Sequence, residues 1–590
     1  MNRVRPDTSP EASLDLGATS PRAPLPGLPR SRPGSGGIAG LIGLGVVTAG
    51  VVAVGLTAGG APPLPGLPDA GPFVRAALPG VRVVSEIAAV FVVGALLAAA
   101  ALIPAGGDRD RATGIAGRAA GWWALLSAAM VVLTVADAMG QPLPSALATL
   151  APSVGRLSVA LAWLVVANVA ALVWIGTRLD LKPPLLLAAS LVGVAPVALT
   201  GHSSSGGDHD IASDSLMLHV VAVSVWVGGL VALLVIIRKP YAAAAARVFS
   251  TVALVCWAAV AVTGVVNASL RLTFDDLGTR YGVLIVAKTA AVVLLGFFGY
   301  LHRQRTLSRL AEGATRPLLR LGAIEVLLML ATIGLAVGLS RTPGPLGVRR
   351  RLSATEILIG YPLPDAPALS RLLTAWRPDL VFGTAAVVAT LWYLDRLRRR
   401  TDPWPVRRTA SWLSGCALLF VATCVLGEYE PAMFSVHIVM QALVGLAVPL
   451  LLAHGKPLAL SGPLAVWLPR PGLAASAVVA IPVLLYALGF FDGLAGKHWA
   501  RLAILACSLA AGLGLFARTR RAPLLVVAGV YAAIGLLLLT RNAALGKGFY
   551  AKLALEWPHD LLADQQLAGW FAVAAGVVLA AYTVVTRRQA

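Results

Sequence analysis

The sequence predicts an all-α fold, a polytopic bundle of transmembrane helices, and composition and hydropathy carry this prediction. Of the 590 residues, 58% are hydrophobic and only 13% are charged, and the mean hydropathy is +0.81. A soluble chain of this length needs more charge to cover its surface. In a bilayer each backbone group must be bonded within its own segment, so long continuous apolar runs form helices. The strands of a membrane barrel would alternate in hydropathy instead.

About sixteen apolar runs are long enough to be membrane segments. They cover residues 38–60, 83–106, 119–139, 156–177, 184–200, 215–237, 247–270, 283–301, 321–340, 377–395, 408–426, 434–453, 473–491, 498–517, 523–540 and 565–585. Each run is followed by a break rich in Pro, Gly or charge, which marks a turn at the membrane surface.

The distribution of Lys and Arg sets the orientation of these segments. With the N-terminus inside, the arginine-dense loops Arg303–Arg320 and Arg396–Arg408 both lie on the cytoplasmic side. This positive-inside bias predicts that both termini are cytoplasmic, in a multi-pass protein of the plasma (inner) membrane. The net charge of +21 lies mostly in short loops beside the membrane, where topology and anionic lipid account for it. Nucleic-acid binding is therefore not predicted.

Composition also predicts the domain boundaries. Residues 1–37, rich in Pro, Arg, Ser and Gly, predict a disordered cytoplasmic tail. A proline-rich outer linker loop, 346–376, separates nine predicted segments from seven. We therefore expect an N-terminal membrane module at 38–345 and a second module at 377–590.

The histidines concentrate on the predicted outer side. Six of the eight lie in outer loops or in the outer third of a segment, namely His202, His209, His219, His437, His498 and His559. Imidazole suits copper, and thioether sulfur selects Cu(I). Met217 stands two residues before His219, while Met433, His437 and Met440 are spaced to share one helical face. These residues predict a copper site, with Cu(I) favoured. The alternative is that the histidines reach the interface and the methionines only fill gaps in packing.

Four ionisable residues lie within predicted segments, namely Glu86, Asp137, Lys288 and Glu325. Such residues are costly in lipid and are functional candidates by default. Glu86 and Asp137 lie close to outer ends, where water is accessible. We expect Glu325 to reach His302 or Arg303 at the inner face, and a purely structural bond between helices is the alternative for it and for Lys288.

An ordered set of motifs occupies roughly residues 186–340. In order these are Thr200-Gly201-His202, Asp208-His209, Leu218-His219, Val225-Trp226-Val227-Gly228-Gly229, Thr263-Gly264 with Asn267, Tyr281-Gly282, Lys288, Gly299-Tyr300 with Arg303, and Glu325. This set resembles the CopD copper-resistance family. The resemblance implies movement of copper across the membrane, with uptake favoured, and makes Trp226, Lys288 and Glu325 functional candidates beside the histidines.

A second set of motifs occupies roughly residues 380–585. It consists of Tyr429-Glu430-Pro431-Ala432-Met433-Phe434-Ser435-Val436-His437, then Pro449, Gly455, Pro457, His498, and Asp564-Gln565-Gln566 with Gly569. This set resembles the CtaG family of cytochrome c oxidase assembly factors, and it makes Asp564 and Gln565 further candidates. The family pairs histidines four residues apart, but here Gln441 and Leu502 occupy the partner positions. Either Met433 and Met440 supply replacement sulfur, or this module does not bind metal.

The two resemblances occur together, in the order found in fused CopD–CtaG membrane proteins of actinobacteria. This implies copper transport or handling across the plasma membrane, coupled to copper supply or to assembly of cytochrome c oxidase. The implied partners are the lipid bilayer, copper ion, and oxidase subunits or copper chaperones. An enzyme is not predicted, since no Ser/His/Asp grouping, HExxH motif or phosphate loop is found.

Two other functions stay open at this point. One is a haem-binding electron carrier, for which His437 with His498 is the one pairing the sequence offers, so haem is disfavoured. The other is an oxidase assembly scaffold that transports nothing.

The predicted orientation can be tested directly by labelling. Single cysteines at Ser204→Cys and Asn542→Cys should react with an impermeant thiol reagent in intact cells, because both positions lie in predicted outer loops. Labelling that appears only after lysis would reverse the predicted topology.

Overall fold

The computed structural model describes residues 36–58, 68–199, 207–345, 352–363, 365–372, 374, 376–460, 470–518 and 522–588. The predicted tail up to residue 35 lies outside the described residues, as do His202, Ser204 and residues 346–351 of the predicted linker. Within the described ranges every regular element is helical and no strand occurs. The predicted all-α fold class is confirmed.

Sixteen principal helices coincide with the predicted apolar runs, and we number them in chain order. They are α1 (Gly36–Ala58), α2 (Gly71–Leu97), α3 (Gly107–Met139), α4 (Ser158–Arg178), α5 (Pro183–Val194), α6 (His209–Ile236), α7 (Ala242–Ser269), α8 (Arg280–Leu301), α9 (Arg316–Ser340), α10 (Leu380–Arg398), α11 (Val406–Val425), α12 (Phe434–His454, with a π turn at Leu443–Ala447), α13 (Pro471–Pro482), α14 (His498–Arg518), α15 (Ala522–Thr540) and α16 (Leu561–Arg588). Shorter helices lie between them at Leu143–Ala148, Leu150–Val154, Leu307–Ala311, Ala354–Ile359, Leu369–Leu372, Pro457–Leu460 and Lys547–Tyr550.

Fourteen helices in the described part of the chain are long and apolar enough to cross a membrane, judged by length and composition. The other two predicted segments correspond to shorter apolar helices at Pro183–Leu199 and Gly472–Ala487. A hydrocarbon core of about 30 Å needs about 20 helical residues. The count of sixteen spans therefore stays a prediction, as does the orientation.

Helix α2 is the centre of the first module. On one side it packs with α1, α6 and α9 around a buried cluster that includes Val83, Trp226 and Leu330. On the other side it packs with α3 and α5, and α4 packs against those two helices, around Trp123 and Trp163. Because both faces of α2 are buried, this helix joins the two halves of the module.

Two glycines allow a close helix crossing between α2 and α6. A Cβ atom added to Gly228 of α6 would lie 2.8 Å from the backbone nitrogen of Gly94 in α2 and 2.9 Å from its Cα atom. Small residues at membrane helix crossings let backbones approach this closely. Gly228 belongs to the Trp226–Gly229 motif singled out in the sequence, so at least part of that motif serves packing.

The second module packs against the first through α6. Met217 of α6 and Leu199 lie against a buried cluster of the second module that includes Trp412, Met440 and Leu502. The backbone N–H of Asp208 also donates to the carbonyl oxygen of Gly360, at 2.5 Å. The start of α6 thus contacts both the predicted linker, through Gly360, and the second module.

The glycine crossing yields a stability prediction with an internal control. Gly228→Ala should lower the free energy of unfolding by about 1–3 kcal/mol, because the added methyl group overpacks backbone against backbone. Gly299→Ala in α8 should be neutral, since nothing lies within 4 Å of its Cβ position. Thermal unfolding in detergent measures both variants, and equal midpoints would show that the crossing is not tight.

Candidate functional site

Three of the predicted metal-binding histidines line one cavity. His209 comes from the start of α6, His437 from α12 and His498 from the start of α14, so both modules contribute. The cavity has a volume of about 40 Å³, and Glu430 and Arg501 also line it. Since a single water needs roughly 10–15 Å³, this space holds an ion or a few waters rather than an organic substrate.

His437 is held by hydrogen bonds at both ring nitrogens. Its Nδ1 atom lies 2.5 Å from Oε1 of Glu430, and its Nε2 atom lies 2.9 Å from the hydroxyl oxygen of Tyr486. The Tyr486 hydroxyl in turn donates to Oε1 of Gln441. Nε2 of Gln441 is buried and has no hydrogen-bond partner in the described part of the chain. Gln441 therefore anchors a network around His437, and a metal can reach this imidazole only after one of its bonds is released.

His498 and His209 are less constrained than His437. Nε2 of His498 lies 2.6 Å from Oδ1 of Asp214, a buried carboxylate of α6 in the first module. Within the described residues, Nδ1 of His498 and both ring nitrogens of His209 have no hydrogen-bond partner. A carboxylate on one imidazole nitrogen orients the ring and raises the basicity of the other nitrogen. These free nitrogens are the groups best suited to bind a cation.

Two arginines balance the acidic groups around the cavity. Arg501 lies 3.5 Å from Glu430 and 3.9 Å from Asp379. Arg377 binds Asp210 at 2.6 Å and Asp208 at 3.0 Å, and its guanidinium group stacks on Tyr361 with 3.7 Å between Cζ and the ring centroid. Buried charges are tolerated only when they are paired in this way.

The loop groups of this network show the effect of that pairing on their pKa values. Burial alone would raise the pKa of Glu430, but the hydrogen bond from His437 and the charge of Arg501 outweigh it and lower the pKa. Burial raises the pKa of Asp379, and Arg501 offsets this only in part. Burial would lower the pKa of Arg377, but Asp210 raises it above its ordinary value. Glu430 and Arg377 are therefore held in their charged forms.

Asp564 and Gln565 have structural roles beside the cavity. Oδ2 of Asp564 accepts hydrogen bonds from the backbone nitrogens of Phe434 at 2.7 Å and Ser435 at 3.3 Å. A carboxylate at a helix N-terminus satisfies free N–H groups and complements the helix dipole. Oε1 of Gln565 accepts from the backbone nitrogen of Leu545 at 2.8 Å. The motif thus fixes the first turn of α12, on which His437 stands.

Several predicted ligands are not brought together. Nδ1 of His219 lies 2.9 Å from Oγ1 of Thr263, between α6 and α7, whereas Met217 packs against the second module. Residues two apart on a helix are rotated by about 200°, which explains the separation. Met433 and Met440 pack in different hydrophobic clusters. In the part of the chain that is described, no three His, Cys, Asp or Glu side chains form a group suited to a metal ion.

The other polar candidates have mostly structural surroundings. Nε2 of His302 lies 3.2 Å from Oε2 of Glu325, so the contact expected for Glu325 is present. Trp226 lies in the buried core of the first module. Among the described residues no hydrogen bond to the Lys288 side chain occurs. Glu86 pairs with Arg82 at 2.8 Å.

Sequence reasoning missed Asp214, Arg377, Tyr486 and Arg501. Two spacings in the sequence were available as signals. Asp210 and Asp214 are spaced i, i+4 at the start of α6, and Arg501 follows His498 by three residues. Both spacings place the two residues on one helix face. Neither spacing reveals that the two faces meet.

Three protein families match consecutive parts of this chain. Residues 73–209 match the family described as copper resistance protein D-like, N-terminal domain. Residues 243–339 match copper resistance protein D, and residues 388–589 match the cytochrome c oxidase caa3 assembly factor family, CtaG. The chain is therefore a multi-pass membrane protein that joins a copper resistance protein D region to a CtaG region. The fusion predicted from the motifs is confirmed.

Similar whole proteins occur in mycobacteria. Uncharacterized proteins of Mycobacterium bovis and Mycobacterium tuberculosis are each 28% identical over 526 residues, which cover 80% of this chain and 78% of the relative. An uncharacterized protein of Mycobacterium leprae is 26% identical over 511 residues, covering 78% of this chain and 75% of the relative. No solved structure matches the chain.

The charge network yields a prediction about stability. Arg501→Gln should lower the free energy of unfolding by about 3–5 kcal/mol, because Glu430 and Asp379 would stay buried without a cation. The double variant Arg501→Gln/Glu430→Gln should recover part of this loss. Denaturation in detergent measures both, and a single variant as stable as the unmodified protein would show that the ion pairs are dispensable.

Proposed function

We propose that the protein moves copper across the plasma membrane and supplies it for assembly of cytochrome c oxidase. The observation that carries this proposal is the shared cavity, where His209 of the first module meets His437 and His498 of the CtaG region. The matching families are described by copper resistance and by oxidase assembly, so a site between the two regions links both activities. The copper ion is the transported substrate.

The free imidazole nitrogens give this cavity its chemistry. We propose that His209 and His498 hold the ion, and that Asp214 positions His498 as an outer partner of a ligating imidazole does. Imidazole suits copper, and a sulfur contact from a methionine would select Cu(I). His437 becomes a third ligand when its bond to Tyr486 is released.

The remaining predicted ligands fit a route through the first module. His202, His219 and Met217 belong to the same region as His209, and we propose that His219 passes copper within α6. Met433 and Met440 stay candidates for sulfur contacts beside His437. Capture from the outer side then leads to delivery toward oxidase subunits or copper chaperones. Binding and movement of an ion require no enzymatic step.

A scaffold that transports nothing is the second candidate. Both ring nitrogens of His437 already make hydrogen bonds, as those of a structural histidine do. This observation favours the scaffold. A haem carrier is not proposed, since a cavity of about 40 Å³ is far smaller than a haem.

Copper binding by the purified full-length protein tests the proposal. His209→Ala and His498→Ala should each weaken Cu(I) binding at least tenfold, about 1.4 kcal/mol, in competition with a chelator under reducing conditions. Asp214→Asn should weaken it about tenfold or more through the orientation of His498. His454→Ala is the matched control, since this exposed histidine bonds Leu450 and Tyr582 away from the cavity.

The outcomes separate the two candidates. Unchanged binding in His209→Ala and His498→Ala would remove copper from this cavity. An unmodified protein that binds no copper, and whose deletion leaves cellular copper unchanged while oxidase assembly fails, would establish the scaffold.

A further inference from the structure

An arginine-rich loop joins α10 to α11 at the end of the bundle away from the cavity. The Cζ atoms of Arg400 and Arg408 each lie 4.8 Å from the ring centroid of Trp404. Nε1 of Trp404 donates to the hydroxyl oxygen of Tyr393 at 3.0 Å, and Tyr393 is fully buried and donates to the carbonyl oxygen of Gly455. We call Arg400, Trp404 and Arg408 the Trp404 cluster. The buried tyrosine fixes the ring that orients both guanidinium groups.

The charge of this loop is mostly uncompensated. Residues 395–408 contain six arginines, namely Arg396, Arg398, Arg399, Arg400, Arg407 and Arg408, and two aspartates. Each aspartate already has a partner: Asp395 binds Arg399 at 2.9 Å and Asp402 binds Arg400 at 3.4 Å. For the other four arginines the described residues provide no carboxylate partner.

The first turn of α11 also favours the binding of an anion. Arg407 and Arg408 stand there, at the positive end of the helix dipole, and the turn contains no acidic residue. Two guanidinium groups on one ring also repel each other. Nε of Arg400 is buried and has no hydrogen-bond partner among the residues that the structure describes. An acceptor with several oxygens, placed between the arginines, would offset this repulsion and complement the helix dipole.

The residues around the Trp404 cluster indicate which kind of molecule carries this anion. Val406 is 80% exposed and Leu391 is 62% exposed, and both stand on apolar helices beside the loop. Aromatic residues of this kind, with Arg beside apolar surface, are typical of a membrane interface. A ligand here meets positive charge on one side and apolar surface on the other, which is the chemistry of an amphiphile.

We propose that the Trp404 cluster, with Arg407, binds the phosphate headgroup of an anionic phospholipid. Guanidinium groups bind phosphate oxygens in pairs, and a ring that fixes their planes reduces the entropy lost on binding. The acyl chains lie along the exposed faces of α10 and α11. This site is independent of the cavity and of copper.

Thermal unfolding of the full-length protein in neutral detergent tests the proposal. Phosphatidylglycerol should raise the unfolding midpoint of the unmodified protein, and phosphatidylcholine should not. Arg400→Gln/Arg408→Gln should lose at least half of that rise. The control Arg305→Gln/Arg309→Gln removes the same charge from another arginine-dense loop, without an aromatic cluster, and should keep the full rise.

Three results would overturn the proposal. An equal loss in both double variants would mean that bulk charge attracts the lipid. A rise reproduced by inorganic phosphate alone would make the site one for a free ion. An unmodified protein that responds equally to both lipids would have no headgroup site. If the double variant does not fold, Arg408→Lys replaces it, because lysine keeps the charge but loses the paired hydrogen bonds and should lose part of the rise.

Discussion

The pairing of buried charges at the start of α6 determines how the two modules meet. Asp208 and Asp210 bind Arg377, and Asp214 binds His498, although Asp214 and His498 are 284 residues apart in the chain. An unpaired charge in this environment costs several kcal/mol, whereas a paired one is tolerated. The acidic start of α6 is therefore most stable where the basic groups of the second module neutralise its charge. These pairs join the start of α6 to the second module beside the cavity.

The same network explains how the CtaG region is built without its family's paired histidines. Gln441 stands where a second imidazole is expected, and it accepts a hydrogen bond from Tyr486, which also contacts His437. The position of the second imidazole is thus taken by Gln441, which supports His437 through Tyr486. Under the proposed function, His209 and His498 form the copper-binding pair, and this pair spans both modules.

Arginine side chains stack on aromatic rings at both ends of the bundle. Arg377 stacks on Tyr361 beside the cavity, and Arg400 and Arg408 stack on Trp404 at the opposite end. The guanidinium group is weakly hydrated and planar, so it can be held against a ring while its N–H groups remain free for oxygen acceptors. Beside the cavity the acceptors are carboxylates of the protein. At the Trp404 cluster Asp402 pairs with Arg400, and the described residues supply no carboxylate partner for Arg408.

The sequence by itself determined the class and the order of the regions. Hydropathy is a local property, so runs such as 83–106 and 434–453 predicted helices that are present, and the motifs predicted the two families. The rotation of a helix about its own axis and the way helices pack on one another are not local properties. Met217 and His219 are neighbours in sequence but face different partners, and Met433 and Met440 pack in separate clusters. Only the tertiary structure decided that His209 joins His437 and His498, because that choice depends on which remote charges neutralise one another when the helices pack.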